Sequence, residues 1–195
     1  MTGVEPRQFG IFRLSDGTRV CVRPACPGDA ARIQDYVRGL AASSRYDRFL
    51  GAVKELAPAD LDRIRASDDR HAALVIEAGS AGARFVIGEA RYAALSEGNN
   101  WEIALSVADA WRRRGLGALL LDFLECRARG RGARTLVADV LRSNAAMRTL
   151  ARKAGFATTA VPVDARLVRI VKDISGARIG TPCAHVMRSR LPLAA

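Results

Sequence analysis

Val107-Ala108-Asp109-Ala110-Trp111-Arg112-Arg113-Arg114-Gly115-Leu116-Gly117 is the stretch that decides the reading of this chain. An apolar strand runs into a turn of three arginines and two glycines, and an apolar-striped helix leaves that turn at once. Glycine lets a backbone approach an anion closely. The first N–H groups of a helix lack acceptors of their own and point at whatever lies before it. Residue types and order together describe a cradle for a diphosphate.

The surrounding pattern extends that unit in both directions. Leu116, Leu119, Leu120, Phe123 and Leu124 predict a helix to about Arg129, which Gly130-Arg131-Gly132 stops. Thr135 to Leu141 is apolar on both faces apart from Asp139, which suits a central strand covered by helices. Ser143 is expected to cap a last helix carrying Met147, Leu150 and Ala154; Gly155 ends it and Phe156 opens another strand. Upstream, Thr18 to Pro24 predicts a strand, Asp29 the N-cap of a helix, Ser43 to Leu50 a short helix, and Pro58 the first turn of a third. His71–Ala78, Arg84–Leu95 and Trp101–Ala108 predict an antiparallel meander, with Gly88 as a bulge or a point of close approach. Ala165–Ile174 and Ala184–Arg190 are expected as late edge strands, with a loop between them.

Bulk properties bound the function. The 195 residues, 49% hydrophobic and 26% charged, suit one globular domain with a substantial core. No apolar run nears the roughly 20 residues of a membrane span, and residues 1–17 show no signal-peptide block; a cytoplasmic protein without a membrane partner is expected. The net charge of +11 favours polyanions, but Arg112, Arg113, Arg114, Arg127, Arg129, Arg131 and Arg134 crowd near the cradle, where a phosphorylated cofactor accounts for part of the excess. Nucleic acid is therefore not the expected partner. Cys21, Cys26, Cys126 and Cys183 contain no C-x-x-C pair and are read as buried thiols. His71 and His185 have no second ligand type at metal spacing, so no metal is expected.

Arg112-x-x-Gly115-x-Gly117 after Val107, with Asn144, Gly155 and Phe156 downstream, resembles the signature of the GNAT superfamily of acetyl-CoA-dependent N-acetyltransferases. Val22-Arg23-Pro24, Asp29-Ala30, Ser43-Ser44-Arg45-Tyr46-Asp47-Arg48-Phe49 and Glu102 look like its bacterial Pat-like protein-lysine acetyltransferase branch. The resemblance is strongest from Trp101 to Phe156. It implies one GNAT domain over residues 1–195: an acceptor-side half at about 18–95, an acetyl-CoA-binding core at about 101–156 and C-terminal strands at 157–195. The fold expected is α/β, a mixed, mostly antiparallel central sheet of six or seven strands with helices on both sides.

In such a protein, backbone amides from Arg112 to Gly117 with Ala118, plus the arginine side chains, would hold the diphosphate of acetyl-CoA. Leu105 and Val107 would face its pantetheine arm, on a strand splayed from Thr135–Leu141. The Val107 N–H would polarise the thioester carbonyl, and Asn144 would bond near the arm. An amine acceptor must first lose a proton, since only about one lysine in a thousand is neutral at pH 7. Glu102 is the candidate base, its carboxylate expected to be buried between Trp101 and Ile103; Glu89 is the reserve. The family's tyrosine seven residues after the asparagine is here Ala151, so the departing thiolate would take its proton from water. Tyr46-Asp47-Arg48-Phe49 is read as core packing with its charges in water, and otherwise as part of an acceptor groove. Trp111 is read as a seal on the turn. Protein lysine and small-molecule amines both remain as acceptors, a non-catalytic acyl-CoA-binding regulator is the alternative class, and both monomer and homodimer stay open.

Overall fold

The computed structural model describes residues 10–66, 68–80, 82–95 and 99–176. Eight strands form a single sheet in the order β1-β2-β3-β4-β5-β6-β8-β7. The strands are β1 (Gly10–Arg13), β2 (Arg19–Pro24), β3 (His71–Ala78), β4 (Phe85–Ala94), β5 (Asn100–Val107), β6 (Thr135–Leu141), β7 (Ala157–Ala160) and β8 (Leu167–Asp173). Every pairing is antiparallel except β5 with β6. The helices are α1 (Ala30–Gly39), α2 (Ala42–Phe49), α3 (Pro58–Arg65), α4 (Leu116–Gly130) and α5 (Ala145–Lys153).

The expected architecture is present with one strand more than the six or seven anticipated. The addition is β1, whose four residues pair with β2 from Gly10↔Val22 to Arg13↔Arg19. Four residues are too few to declare a period, yet Phe12 is buried and meets Phe123 of α4 edge-on. The late strand expected at an edge, Ala165–Ile174, is β8, but it lies between β6 and β7, and β7 takes the edge; the strand expected at Ala184–Arg190 lies outside the described residues. Cys183 does too; Cys21 and Cys26 are free, and Cys126 is not a free thiol, which corrects that expectation.

Strand alternation divides the core between two faces. One face packs Val20, Val22, Leu74, Ile76, Ala90, Tyr92, Trp101 and Ile103 against Leu116, Leu120, Phe123 and Leu124 of α4 and Ala151 of α5. The other packs Ala73, Val75 and Val86 against Ile33, Tyr36 and Val37 of α1 and Ile64 of α3. Gly88 is the point of close approach, and the bulge falls on its neighbour. A bulge at Ile87 shifts the β3–β4 register, and a Cβ on Gly88 would stand 3.3 Å from the Ser106 carbonyl and 3.4 Å from Leu120.

Two caps differ from expectation. Asp29 makes no side-chain cap to α1. It is buried, and Arg23 grips it with Nη1–Oδ2 at 2.6 Å and Nη2–Oδ1 at 2.8 Å, while Glu77 takes Arg23 Nη2 at 2.6 Å. The opposite charge of Arg23, buried on β2 six residues earlier, holds the Asp29 carboxylate away from the helix end. At α5 the cap is Asn144 rather than Ser143: its side chain accepts the Met147 N–H at 2.9 Å.

Candidate active site

The β5–β6 ladder runs only from Asn100↔Thr135 to Glu102↔Val137, although β5 continues to Val107 and β6 to Leu141. Beyond Glu102 the two strands part into a wedge. The Ala108 N–H donates to the Ile87 carbonyl and the Leu95 N–H to the Asn100 carbonyl, so even-numbered residues of β5 turn their main-chain groups toward β4. Alternation then turns the main chains of Leu105 and Val107 toward β6, where no strand receives them. Their side chains remain against the α4 face of the core. The splay expected from the sequence is therefore a feature of the fold.

Beyond the wedge, the chain makes a short turn at Asp109–Trp111 and enters α4. Arg113 has φ 61° and Gly115 φ 82°. Left-handed residues at such a bend turn successive N–H groups inward, forming a concavity suited to an anion. The first intrahelical bond of α4 is Leu119 N–H to the Gly115 carbonyl, which leaves the N–H groups of Leu116, Gly117 and Ala118 without an acceptor in the helix. A Cβ on Gly117 would meet Leu150 at 3.3 Å, so this glycine also sets how closely α4 and α5 approach.

The three arginines of the turn divide their work. Arg112 is anchored to the protein: its Nη2 donates to Ser44 Oγ at 2.8 Å and lies 3.2 Å from Asp109, and its Nε reaches the Val107 carbonyl at 3.4 Å. Asp109 in turn accepts Ser44 Oγ at 2.5 Å and the Ala41 N–H at 2.9 Å, tying the turn to α2. Arg114 pairs with Asp16 at 2.6 Å and stacks on Trp111 at 4.9 Å. Trp111 meets Phe85 edge-on, as a seal for the turn would. Arg113 alone of the three makes no ion pair among the described residues. The cradle is therefore mainly backbone, with its side chains bracing it. Asn144, at the start of α5, has its side-chain oxygen committed to the cap.

Glu102 is exposed, which corrects the expectation that Trp101 and Ile103 bury it. Neighbours in sequence along a strand point to opposite faces: Trp101 and Ile103 enter the α4 core, and Glu102 looks to the other side. There it lines a groove of about 220 Å³ with Arg48, Phe49, Arg63, His71 and Arg91. On the neighbouring β4, Glu89 is the buried carboxylate, at 0% exposure. Its Oε1 accepts Arg48 Nε and its Oε2 accepts Arg91 Nε, both at 2.8 Å. Burial works to raise its pKa, but the charges and hydrogen bonds of the two arginines prevail and hold it below the usual range. The two arginines thus hold Glu89 as an anion.

Ser106 donates to Glu89 at 3.4 Å and accepts the Tyr36 hydroxyl at 3.0 Å. Burial drives the Tyr36 phenol above its ordinary range. The Tyr46–Phe49 segment meets its expected packing in part: Phe49 lies against the α1 core, but Tyr46 is 39% exposed, while the Arg48 side chain is only 10% exposed. Ala151 is buried in the core, so a tyrosine there would have no open space to occupy. Among the described residues no cluster of three or more His, Cys, Asp or Glu could hold a metal ion. None of the described helices is long and apolar enough to cross a membrane.

A strand splayed from its parallel neighbour, followed by a backbone cradle at a helix start, defines an acyltransferase of the GNAT type. The model of the Acetyltransferase (GNAT) family matches residues 40–156, and the chain belongs to that family. It is 34% identical over 159 residues to an acetyltransferase of Pseudomonas aeruginosa, covering 81% of this chain and 86% of that protein. Among solved structures, the GNAT domain of S. lividans PAT matches with a TM-score of 0.75 and 27% identity, over 85% of this chain and 96% of its own. The fold is shared with yncA from Salmonella typhimurium, a putative acetyltransferase with its cofactor acetyl-CoA (TM-score 0.63, 22% identity, 81% and 95% covered). The chain is an N-acetyltransferase of the GNAT type with Pat-like similarity.

Proposed function

We propose that this protein moves an acetyl group from acetyl-CoA to a primary amine by direct attack on the thioester. The observation that carries the reading is the wedge, which leaves the main chains of Leu105 and Val107 without a strand partner on the β6 side, beside a helix-start cradle. The pantetheine arm takes the place of the missing strand and bonds those groups. Its diphosphate sits on the N–H groups of Leu116, Gly117 and Ala118, with Arg113 available to the phosphates and Arg112, Arg114 and Gly115 shaping the turn. The first residues of α5, Asn144 included, flank the arm.

Chemistry follows from that placement. The Val107 N–H donates to the thioester carbonyl as its oxygen gains negative charge, the form of stabilisation that typically contributes about 2.7–4 kcal/mol per donor. Glu102, exposed on the groove side of β5, attracts the ammonium of the acceptor and takes its proton before attack. Its contact with water lets that proton leave. The amine nitrogen then bonds the acetyl carbon, the carbon–sulfur bond breaks, and the thiolate takes a proton from solvent. A thiol pKa near about 8.5 makes it a fair leaving group unaided, which suits the alanine at position 151.

Similarity to S. lividans PAT and the Pat-like residues favour a protein lysine as acceptor; a small-molecule amine is the second reading, favoured by the modest size of the groove. The test is calorimetry with acetyl-CoA and with coenzyme A, followed by incubation with labelled acetyl-CoA, an amine panel and a cell lysate. Binding plus label on an amine supports the reading. No heat of binding at millimolar coenzyme refutes it. Binding without transfer to any amine identifies a regulatory acyl-CoA-binding protein instead.

A further inference from the structure

The floor of the groove beside Glu102 carries an imbalance that the transfer chemistry does not use. Arg48 and Arg91 each spend one nitrogen, Nε, on the fully buried Glu89. Their terminal nitrogens find no hydrogen-bond acceptor among the described residues, and Arg91 Nη2 is buried without a partner. A guanidinium ordinarily presents a two-nitrogen fork to a carboxylate or phosphate, and a buried charged donor without an acceptor is destabilising. Two guanidinium charges thus meet one carboxylate. The other arginine of the groove, Arg63, is already paired with Asp60 at 3.1 Å.

Register places this excess beside the proposed base. Arg91 opposes Ala104 and Ala93 opposes Glu102 across β4 and β5, so Arg91 and Glu102 share a face as diagonal neighbours, with Cα atoms roughly 7–8 Å apart. Once Glu102 holds an ammonium, the floor keeps one uncompensated positive charge a side chain's length away. The groove, at about 220 Å³, has room for roughly seven waters' worth of liquid, the scale of one amino acid.

We infer that the acceptor is an amine carrying a carboxylate close by, with the amine at Glu102 and the carboxylate on the free nitrogens of Arg91 and Arg48. This rests on the transfer reading above and narrows its substrate class. The chemistry has two sources: a free amino acid, or a lysine whose neighbour in a peptide is acidic. Arg91 is a specificity residue in either case.

The test measures kcat/KM with saturating acetyl-CoA on matched acceptors. One series compares amino acids with their amides and with the amines left by removing the carboxylate. The other compares peptides blocked at the N-terminus with one lysine followed by glutamate or by glutamine. The carboxylate member should be preferred roughly 100-fold or more in one series, as expected when a built polar site is otherwise left unpaired; that series names the source. Arg91→Gln should shrink the preference to within about 10-fold while calorimetry shows coenzyme binding unchanged. The wild-type ratio tests the inference even if that variant folds poorly. Equal rates within each pair overturn the inference and leave acetyl transfer standing, as does transfer only to amines lacking a carboxylate. Failure to bind acetyl-CoA at all overturns both.

Discussion

Two glutamates on adjacent strands offer a separation of structural from chemical function. Glu89 is fully buried and accepts from Arg48, Arg91 and Ser106; Glu102 is exposed and lines the groove. Glu89→Gln keeps the shape but sets a neutral amide between two arginine donors. Removing one member of a buried charge cluster costs about 3–5 kcal/mol, because the remaining charges stay buried without compensation. In a chain of this size each kcal/mol moves the melting temperature by about 2–4 °C, so a fall of about 6–20 °C is expected. Glu102→Gln removes no buried contact and should change stability by no more than about 0.5 kcal/mol, yet lower turnover by about 10²–10⁴ as the proposed base is lost. Coenzyme affinity should be unchanged. Calorimetric melts, coenzyme titrations and steady-state rates on both variants resolve the two effects. A Glu102→Gln enzyme with wild-type turnover, or a Glu89→Gln protein with wild-type stability, would refute the assignment of functions to these side chains.

Other substitutions probe the remaining parts. Val107→Pro deletes an N–H that faces the wedge and not the β4 ladder; kcat should fall about 10²–10³-fold by loss of one oxyanion donor, and an unchanged kcat removes Val107 from the mechanism. Gly115→Ala meets no atom within 4 Å but forces a side chain into φ 82°, a strain of about 1–2 kcal/mol; coenzyme affinity should drop as the turn relaxes, whereas wild-type affinity would show that the turn does not shape the cradle. Acid stability follows from three carboxylates. Burial works to raise the pKa of Asp29, Glu77 and Glu89, but their arginine partners prevail and lower all three. A carboxyl lowered in the folded state contributes stability above its unfolded pKa of about 3.9–4.3 and loses it as pH falls through the folded value. Urea midpoints should therefore hold from pH 7 to about 5 as far as these groups act and decline below about 4; a midpoint that rises on acidification would contradict the clamp.

Legibility in the sequence tracked the range of the interactions involved. The α4 turn, the meander and the β6–α5 unit are local: each rests on periodicity and on glycines at fixed offsets, and each stands where the pattern put it. The wedge was anticipated only through family resemblance, since no period along β5 says where its partner leaves. Contacts between distant segments were invisible. Arg23 with Asp29 and Glu77, Arg48 with Glu89, and Arg112 with Ser44 span separations of 6 to 68 residues, and nothing in the local pattern marks a charged residue as buried. Phe85–Ala94 did hold a clue, because Glu89 and Arg91 interrupt an apolar strand on one face. A charged pair two residues apart inside a core strand needs further partners, and Arg48 turned out to be one.

The division of labour along β5 ties these observations together. Its odd side chains, Trp101 and Ile103, enter the α4 core and fix the strand. Its even side chains, Glu102 and Ser106, face the arginine-lined side where the acceptor is proposed to bind. The main chains of Leu105 and Val107 turn sideways into the wedge, where the coenzyme arm is proposed to lie. A shift of one residue in the β4–β5 register would exchange the first two sets, burying Glu102 and exposing Trp101. The apolar alternation that secures the fold therefore also secures which group meets the amine and which N–H meets the thioester. A substitution such as Ile103→Glu should abolish activity through that register, with loss of the folded state as its measurable sign in circular dichroism. A folded, active Ile103→Glu protein would show that the strand's position is held by something other than its core face.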